Sequence, residues 1–183
     1  MMEIQPYKKV HGSAFQNNYL NATRPVANLS NRSRTNVVSL TSWCERNFKK
    51  LPSQKIVYAS TPIYEGSNFT WGEATKNCRR ELVDLYIDGV FILSALQIEA
   101  RIISTAKSLD EVRSLLGGRP LLVNSWYRPP AENRRVGGSL YSRHQYGDAV
   151  DIRSDYLSPR SIFGKLKSHV GGLGKYRSFV HID

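Results

Sequence analysis

The amino-acid sequence predicts an α+β domain in which helices pack on a small, mostly antiparallel sheet. Helical patterns come first along the chain, and short strand-like segments follow around one further helix, an order unlike that of a βαβ repeat. The chain has 183 residues, of which 40% are apolar and 22% charged, which is enough for one buried core. The longest predominantly apolar stretch, residues 90–96, is far shorter than the ~18 residues that suggest a membrane span, so we expect no span.

The N-terminal third is predicted to be a flexible or loosely docked extension, residues 1–66. Its first half is rich in Asn, Ser and Arg and shows no sustained hydrophobic period. In the second half, short strands are possible at 35–40 and 55–59. Residues 1–20 lack the apolar stretch of a secretory signal peptide. A cytoplasmic location, export without a cleaved signal, and a chain that lacks its natural N-terminus all stay open.

A domain is predicted to occupy residues 67–183. Thr70 and Glu73 form a capping box at the beginning of its first helix, because each side chain can satisfy a free backbone amide. The apolar period of residues 82–106 predicts a long buried helix, with Gly89 as the only break.

The second half of this domain alternates between strand and helix signals. Ser108 and Glu111 form another capping box, and the short helix that it begins is expected to end at the glycines 117–118. The later predictions are a strand at 120–127, a loop at 129–138, a strand at 148–152, a helix at 158–169, a glycine turn at 171–174 and a strand at 178–183.

The cysteines and two of the four histidines do not suggest a metal site. Cys44 and Cys78 are the only cysteines, which excludes a disulfide framework and a cysteine-based zinc module. A disulfide between them is possible but not required. His11 and His169 have no potential ligands nearby in the sequence and are not expected to bind metal.

The chain is basic, with 26 Lys and Arg against 15 Asp and Glu and a net charge of +11. These cations do not form a stripe with interleaved aromatic residues, so a solvated basic surface is favoured over a nucleic-acid groove, and we expect no nucleic-acid partner. The same charge would favour attraction to an anionic cell envelope.

The other two histidines occur beside carboxylates. His144 precedes Asp151 by a segment in which Gly147 allows a turn, and His181 shares a strand face with Asp183 because side chains alternate along a strand. An imidazole, a carboxylate and a second imidazole, with a fourth position open, are what a catalytic zinc ion requires. Polar residues satisfied at strand ends are the alternative interpretation.

Several motifs occur in one order along residues 67–183. They are Asn68-Phe-Thr-Trp-Gly-Glu73, Ser125-Trp-Tyr-Arg-Pro-Pro130, Asn133-Arg-Arg-Val-Gly-Gly138, Ser142-Arg-His-Gln-Tyr-Gly-Asp-Ala-Val-Asp151, Gly172-Leu-Gly-Lys-Tyr176 and Phe179-Val-His-Ile-Asp183. Together they resemble the zinc D-Ala-D-Ala carboxypeptidase family, which also includes peptidoglycan endopeptidases. The resemblance implies the fold of the Hedgehog and DD-peptidase group, a Zn²⁺ cofactor, the stem peptide of bacterial peptidoglycan as partner, and a location in the cell envelope or outside the cell.

The resemblance also implies roles for individual residues. Three side chains are expected to bind Zn²⁺: His144, Asp151 and His181. Arg128 is expected to steady the substrate or the developing oxyanion, because a guanidinium binds such groups at two places. Ser142 either binds substrate or caps the turn before His144, and Tyr127 is expected in the substrate site.

One position departs from the family pattern. Many members have a Glu or Asp as general base three residues before the last zinc histidine, where this chain has Ser178. Asp183, about 7 Å along the strand from His181, is then the base, or a residue that orients a ligand, or neither. Two functions therefore stay open: a zinc peptidase, and a non-catalytic zinc-stabilised module that binds cell-wall peptides. A nucleic-acid-binding protein is a weaker third, and we expect a monomer.

Overall fold

The computed structural model describes residues 48–168 and 171–183, and it confirms the predicted α+β class. The strands are β1 (Phe48–Lys50), β2 (Ile56–Tyr58), β3 (Leu85–Ile87), β4 (Val90–Leu93), β5 (Leu122–Ser125), β6 (Val150–Arg153), β7 (Leu173–Lys175) and β8 (Val180–Ile182). The α-helices are α1 (Trp71–Ala74), α2 (Ala95–Leu115), α3 (Pro130–Arg135) and α4 (Pro159–Leu166), and a 3₁₀ helix spans Arg143–Tyr146. No helix in these two ranges is long and apolar enough to cross a lipid bilayer.

The sheet that carries the candidate site has four antiparallel strands in the order β5-β6-β8-β7. Its register sets Asp151 of β6 directly opposite His181 of β8. The alternate residues of these strands face the core, where they join the buried face of α2, and this shared core includes Ile98, Ile102, Val150, Ile152 and Val180. Strands β1 and β2 form one hairpin and β3 and β4 another.

The long helix predicted over 82–106 is wrong in its first half. Strands β3 and β4 form a hairpin there, and its turn residues Asp88 and Gly89 have φ values of 51° and 79°. Asp-Gly is the dipeptide that favours a two-residue hairpin turn, and this local signal outweighs the helical spacing of the apolar residues. Helix α2 begins only after Ser94, which forms a capping box with Gln97.

The second predicted capping box is also wrong as a helix start. Ser108 and Glu111 lie inside α2, which continues to Leu115 before the positive-φ residues Gly117 and Gly118. In the middle of a helix, the backbone amides already donate to carbonyl groups of the preceding turn, so a capping-box pattern there has no free amide to satisfy.

Several other local predictions are confirmed. Thr70 and Glu73 form their capping box, and Ser158 caps α4 before Pro159. Two segments differ from their predictions: the expected loop at 129–138 contains the short helix α3, and β7 begins inside the expected glycine turn at 171–174. The possible strand at 35–40 and the residues Cys44, His11 and His169 lie outside the described residues.

The core includes side chains from before residue 67. Leu51, Val57 and Ile63 are 1%, 1% and 4% exposed and pack with the core of the later elements. Residues 48–66 therefore pack with the folded domain, and the rest of the expected extension, residues 1–47, lies outside the described residues.

Asp110 of α2 fixes the segment before α1 to the helix. Its carboxylate accepts hydrogen bonds from the Tyr64 hydroxyl at 2.5 Å, the Ser67 hydroxyl at 3.1 Å, and both the backbone and side-chain amides of Asn68 at 3.2 and 2.8 Å. Although burial raises the pKa of Asp110, these hydrogen bonds outweigh it and lower the pKa below its ordinary value.

We expect Asp110→Asn to lower the free energy of unfolding by about 1–2 kcal/mol at pH 7, a value reduced by partial solvent exposure. Since the folded-state pKa of Asp110 is lowered, its stabilisation is present above about pH 4 and is lost as the pH falls through the folded-state value. Urea unfolding from pH 7 down to pH 3 measures this, with the exposed-site variant Asp155→Asn as control. An equal loss at every pH would contradict the assignment.

Candidate metal centre

Three side chains from separate elements converge on one face of the four-stranded sheet. His144 comes from the 3₁₀ helix, Asp151 from β6 and His181 from β8, and one potential ligand atom of each lies within 4.8 Å of the others. Nε2 of His144 is 3.4 Å from Oδ2 of Asp151, and Nδ1 of His181 is 2.8 Å from Oδ1 of the same carboxylate. The structure thus brings together the three residues that the sequence suggested as ligands.

The orientation of His144 is fixed by hydrogen bonds to the end of β5. The ring is 2% exposed, and its Nδ1 lies 2.7 Å from the carbonyl oxygen of Trp126, which can only accept a hydrogen bond. The backbone amide of Arg128 donates to the carbonyl of His144, and the indole N–H of Trp126 donates to the carbonyl of Gly147. We call these three hydrogen bonds the clasp.

The clasp leaves donor atoms that suit a cation. With a proton on Nδ1, the His144 ring points Nε2 at a carboxylate oxygen of Asp151 that lies 3.4 Å away, and two acceptors face each other whenever Nε2 carries no proton. A metal ion between them would satisfy both. Two imidazoles and one carboxylate are ordinary zinc ligands, so these three residues fit the ion that the sequence suggests.

The charge state of the carboxylate is consistent with this chemistry. Burial raises the pKa of Asp151, but its interactions with His144 and His181 outweigh burial and lower that pKa to about 2. The hydrogen bond to Asp151 in turn raises the pKa of His181. The carboxylate is therefore ionised at neutral pH.

A cleft of about 460 Å³ opens in front of the three residues. Arg128 lines it, and its Nε is buried without a hydrogen-bond partner among the described residues. Burial lowers the pKa of this guanidinium below its ordinary value. Ser142 also lines the cleft, and although it precedes the 3₁₀ helix, its side chain makes no capping hydrogen bond. Both residues are therefore placed to contact a ligand.

Asp183 borders the same cleft beside His181. Its Oδ2 is 3.6 Å from Nε2 of the imidazole, the nitrogen that does not face Asp151. Its other carboxylate oxygen lies against the backbone of Gly172, where a Cβ would come within 1.4 Å of it. Ser178, at the position of the family's usual base, is exposed and does not border the cleft.

Tyr127 lies in the core and not in the cleft. Its side chain is 0% exposed, its hydroxyl accepts a hydrogen bond from the backbone amide of Val83, and burial raises its pKa to about 12. Its large apolar ring follows the buried Trp126 and fills the core, so the expected contact between Tyr127 and substrate does not occur in this arrangement.

Sequence reasoning missed two residues that support the site. Trp126 holds His144 through a backbone carbonyl, which carries no side-chain signal in a sequence. Asp148 pairs with Arg101 of α2 at 2.6 Å and with Arg143 of the 3₁₀ helix, and so connects the helix to the turn that carries His144. The opposite charges of Arg143 and Asp148 could have suggested their ion pair, but nothing in the sequence pointed to Arg101 as a second partner of Asp148.

Gly147 ends the 3₁₀ helix in a conformation that other residues rarely adopt. Its φ is 82°, and a Cβ at this position would lie 2.9 Å from Cγ1 of Ile102 and 3.2 Å from the carbonyl oxygen of Ile98. The turn that presents His144 therefore packs against α2 through a glycine, because the positive φ favours glycine and because no space remains for a side chain.

We expect Gly147→Ala to lower the free energy of unfolding by about 2–4 kcal/mol, because the cost of a left-handed alanine adds to the cost of its forced contact with α2. Gly66→Ala is the matched control, because Gly66 has a φ of 86° and open space around its Cβ position. That variant should lose only about 1 kcal/mol. Thermal or urea unfolding of both proteins measures the difference, and equal losses would mean that the contact with α2 has no effect.

Comparison with known proteins gives the chain a family. Residues 64–183 match the family described as peptidase M15. A stretch of 60 residues is 37% identical to the zinc D-Ala-D-Ala carboxypeptidase of Streptomyces albus G, and it covers 33% of this chain and 24% of that relative. The chain thus aligns with about a quarter of the length of this curated relative. Because the family match extends over more than half of the sequence, the chain belongs to the peptidase M15 family of zinc peptidases.

Proposed function

We propose that this protein is a zinc-dependent peptidase that hydrolyses the stem peptide of bacterial peptidoglycan, with D-Ala-D-Ala carboxypeptidase activity as the specific reaction. The observation that carries the proposal is the convergence of His144, Asp151 and His181 at an open cleft that Arg128 also lines. The relative from Streptomyces albus G supports the reaction type through its name. A cell-envelope or extracellular location follows from that substrate.

His144, Asp151 and His181 would hold the zinc ion. When bound, zinc polarises a carbonyl group and lowers the pKa of a water molecule toward neutrality. The protein's part is to keep the three ligand atoms in place, which it does with the clasp on His144 and the strand pairing of Asp151 with His181.

Arg128 would bind the negative charge of the substrate. A terminal carboxylate and the oxygen of an attacked carbonyl are both acceptors that suit a guanidinium. Its unpartnered Nε supports this role, since a buried donor without an acceptor is costly unless a ligand satisfies it. The clasp also fixes the Arg128 backbone, which limits how far the side chain can move. Ser142 would offer a hydroxyl on the same side of the cleft.

Asp183 would accept the proton of the attacking water and pass it to the leaving amine. Asp151 contacts both histidines, and Asp183 is the other carboxylate that lines this cleft among the described residues. A second role, that of orienting the His181 ring, is supported by its distance of 3.6 Å from Nε2.

A non-catalytic module that binds wall peptides is the second candidate. The exposed Ser178 favours it, because the usual position of the base then offers no carboxylate. Incubation with purified muropeptides separates the two candidates: release of D-Ala or split stems supports the peptidase, and binding without cleavage supports the module.

Replacement of the histidine ligands tests the metal site. We expect about one zinc per purified wild-type chain and none in the double variant His144→Ala/His181→Ala, with loss of cleavage. Elemental analysis measures the metal, and circular dichroism shows whether the variant is folded. Asp155→Ala, at an exposed carboxylate outside the cleft, should retain its zinc. Full zinc content in the double variant would refute the ligand assignment.

The variant Asp183→Asn separates the two roles of that residue. Loss of a general base should lower kcat by about 10²–10⁴-fold while zinc affinity is unchanged. Loss of an orienting residue should instead weaken zinc binding by about 10–100-fold. Zinc titration against a competing chelator, alongside the kinetics, measures both, and unchanged values for both would exclude Asp183 from the site.

A further inference from the structure

A second cleft, of about 470 Å³, lies beside helix α3, near the segment that carries Arg128. Arg128 lines the metal cleft, whereas the next residue, Pro129, lines this one. Its charged lining consists of four cations and two carboxylates: Lys76, Arg79, Arg80, Arg135, Glu81 and Glu132. The cleft therefore has an excess of two positive charges.

The two carboxylates already have cationic partners. Glu132 accepts hydrogen bonds from Arg135 at 2.7 Å and from Arg80 at 3.2 Å, and its pKa falls to about 2 mainly because of Arg135. Glu81 lies 2.9 Å from the buried ammonium of Lys49, which comes from β1. These pairs account for the acidic side chains of the cleft.

Two cations of the cleft stay available. Lys76 and Arg79 are exposed, and neither forms an ion pair with any residue in the part of the chain that the structure describes. A third, Arg80, is held rigidly, because its guanidinium also donates to the carbonyl of Tyr127 at 2.8 Å. The cleft thus combines a fixed guanidinium with two free positive charges.

The backbone that presents these cations is unusual. Lys76, Asn77 and Cys78 all have positive φ values, of 54°, 54° and 62°, and so form a short left-handed turn without any glycine. Such a conformation costs free energy at every L residue, and it concentrates at ligand sites in proteins. Backbone hydrogen bonds from Asn77 to Gly72 and from Arg80 to Thr75 hold the turn closed.

We propose that this cleft is a second binding site, which takes carboxylate groups of the peptidoglycan strand beside the stem peptide being cut. The proposal rests on the proposed function for the identity of the polymer. A guanidinium and an ammonium suit carboxylates. The two clefts are lined by consecutive residues, Arg128 and Pro129, so a polymer strand is a ligand that could extend from one cleft to the other. Glu81 and Glu132 limit the positive charge, which favours singly charged carboxylates over a dense phosphate polymer.

Co-sedimentation of the full chain with purified sacculi tests the site. The sacculi are first freed of attached phosphate polymers, and incubation is short and on ice. We expect Lys76→Gln/Arg79→Gln to bind about fivefold more weakly than wild type. The matched control Lys165→Gln/Lys167→Gln removes the same charge from exposed positions at α4 and should bind as wild type does. Equal unfolding midpoints show that both variants are folded.

Blocking the carboxylates identifies the ligand group. Coupling the sacculus carboxylates to a neutral amine should abolish the difference between wild type and Lys76→Gln/Arg79→Gln. The proposal is overturned if the two double variants lose equal binding, if neither loses any, or if the difference persists after coupling. It is also overturned if the difference occurs only on sacculi that keep their phosphate polymers.

Cleavage of a short soluble stem peptide distinguishes a failure of this proposal from a failure of the peptidase assignment. A short peptide does not reach the second cleft, so both double variants should cleave it at the wild-type rate. If no protein cleaves it, the peptidase assignment fails while the sacculus-binding comparison still decides the second site. If Lys76→Gln/Arg79→Gln alone cleaves the short peptide more slowly, the cleft belongs to the reaction site and the proposal is overturned.

Discussion

The candidate centre depends on the hydrogen-bonded clasp between the end of β5 and the turn that carries His144. This clasp sets three properties at once: the tautomer of His144, the path of the turn as far as Gly147, and the backbone position of Arg128. The fully buried Trp126 fixes it to the core. One rigid unit therefore places both His144, the proposed metal ligand, and Arg128, the proposed substrate-binding residue, and a shift of either would move the other.

The alternation of side chains along a strand explains why the faces of the two strand-borne candidate ligands, Asp151 and His181, could be predicted from the sequence, whereas His144 was suggested by its motif. Val150 and Ile152 are buried while Asp151 between them faces the cleft, which is the alternation that the sequence predicts. The same rule places His181 of β8 and Asp183, the residue that follows the strand, on one side. The α+β class follows from the order of these patterns. The alternation of side chains cannot predict the pairing of β6 with β8, because that pairing depends on contacts between residues 30 positions apart.

The failed predictions share a physical cause. The apolar spacing at 82–106 fits a helix, but the Asp-Gly turn and the packing of β3 on β4 decide the conformation there. Tyr127 was expected in the substrate site together with Arg128, although neighbours in an extended segment point to opposite sides. Its ring therefore enters the core while Arg128 reaches the cleft. Local patterns report the conformation that a segment prefers, and tertiary packing then selects among such preferences.

The cross-strand pairing of Asp151 with His181 has a consequence for the lifetime of the site. Because β8 lies between β6 and β7, the backbone of His181 cannot move away from that of Asp151 without the loss of ladder hydrogen bonds on both sides. Separation of the two backbone segments is then a local unfolding event, and the exchange of the amide protons of β6 and β8 with solvent reports its free energy. The arrangement of this part of the centre persists as long as the inner strands of the sheet stay closed.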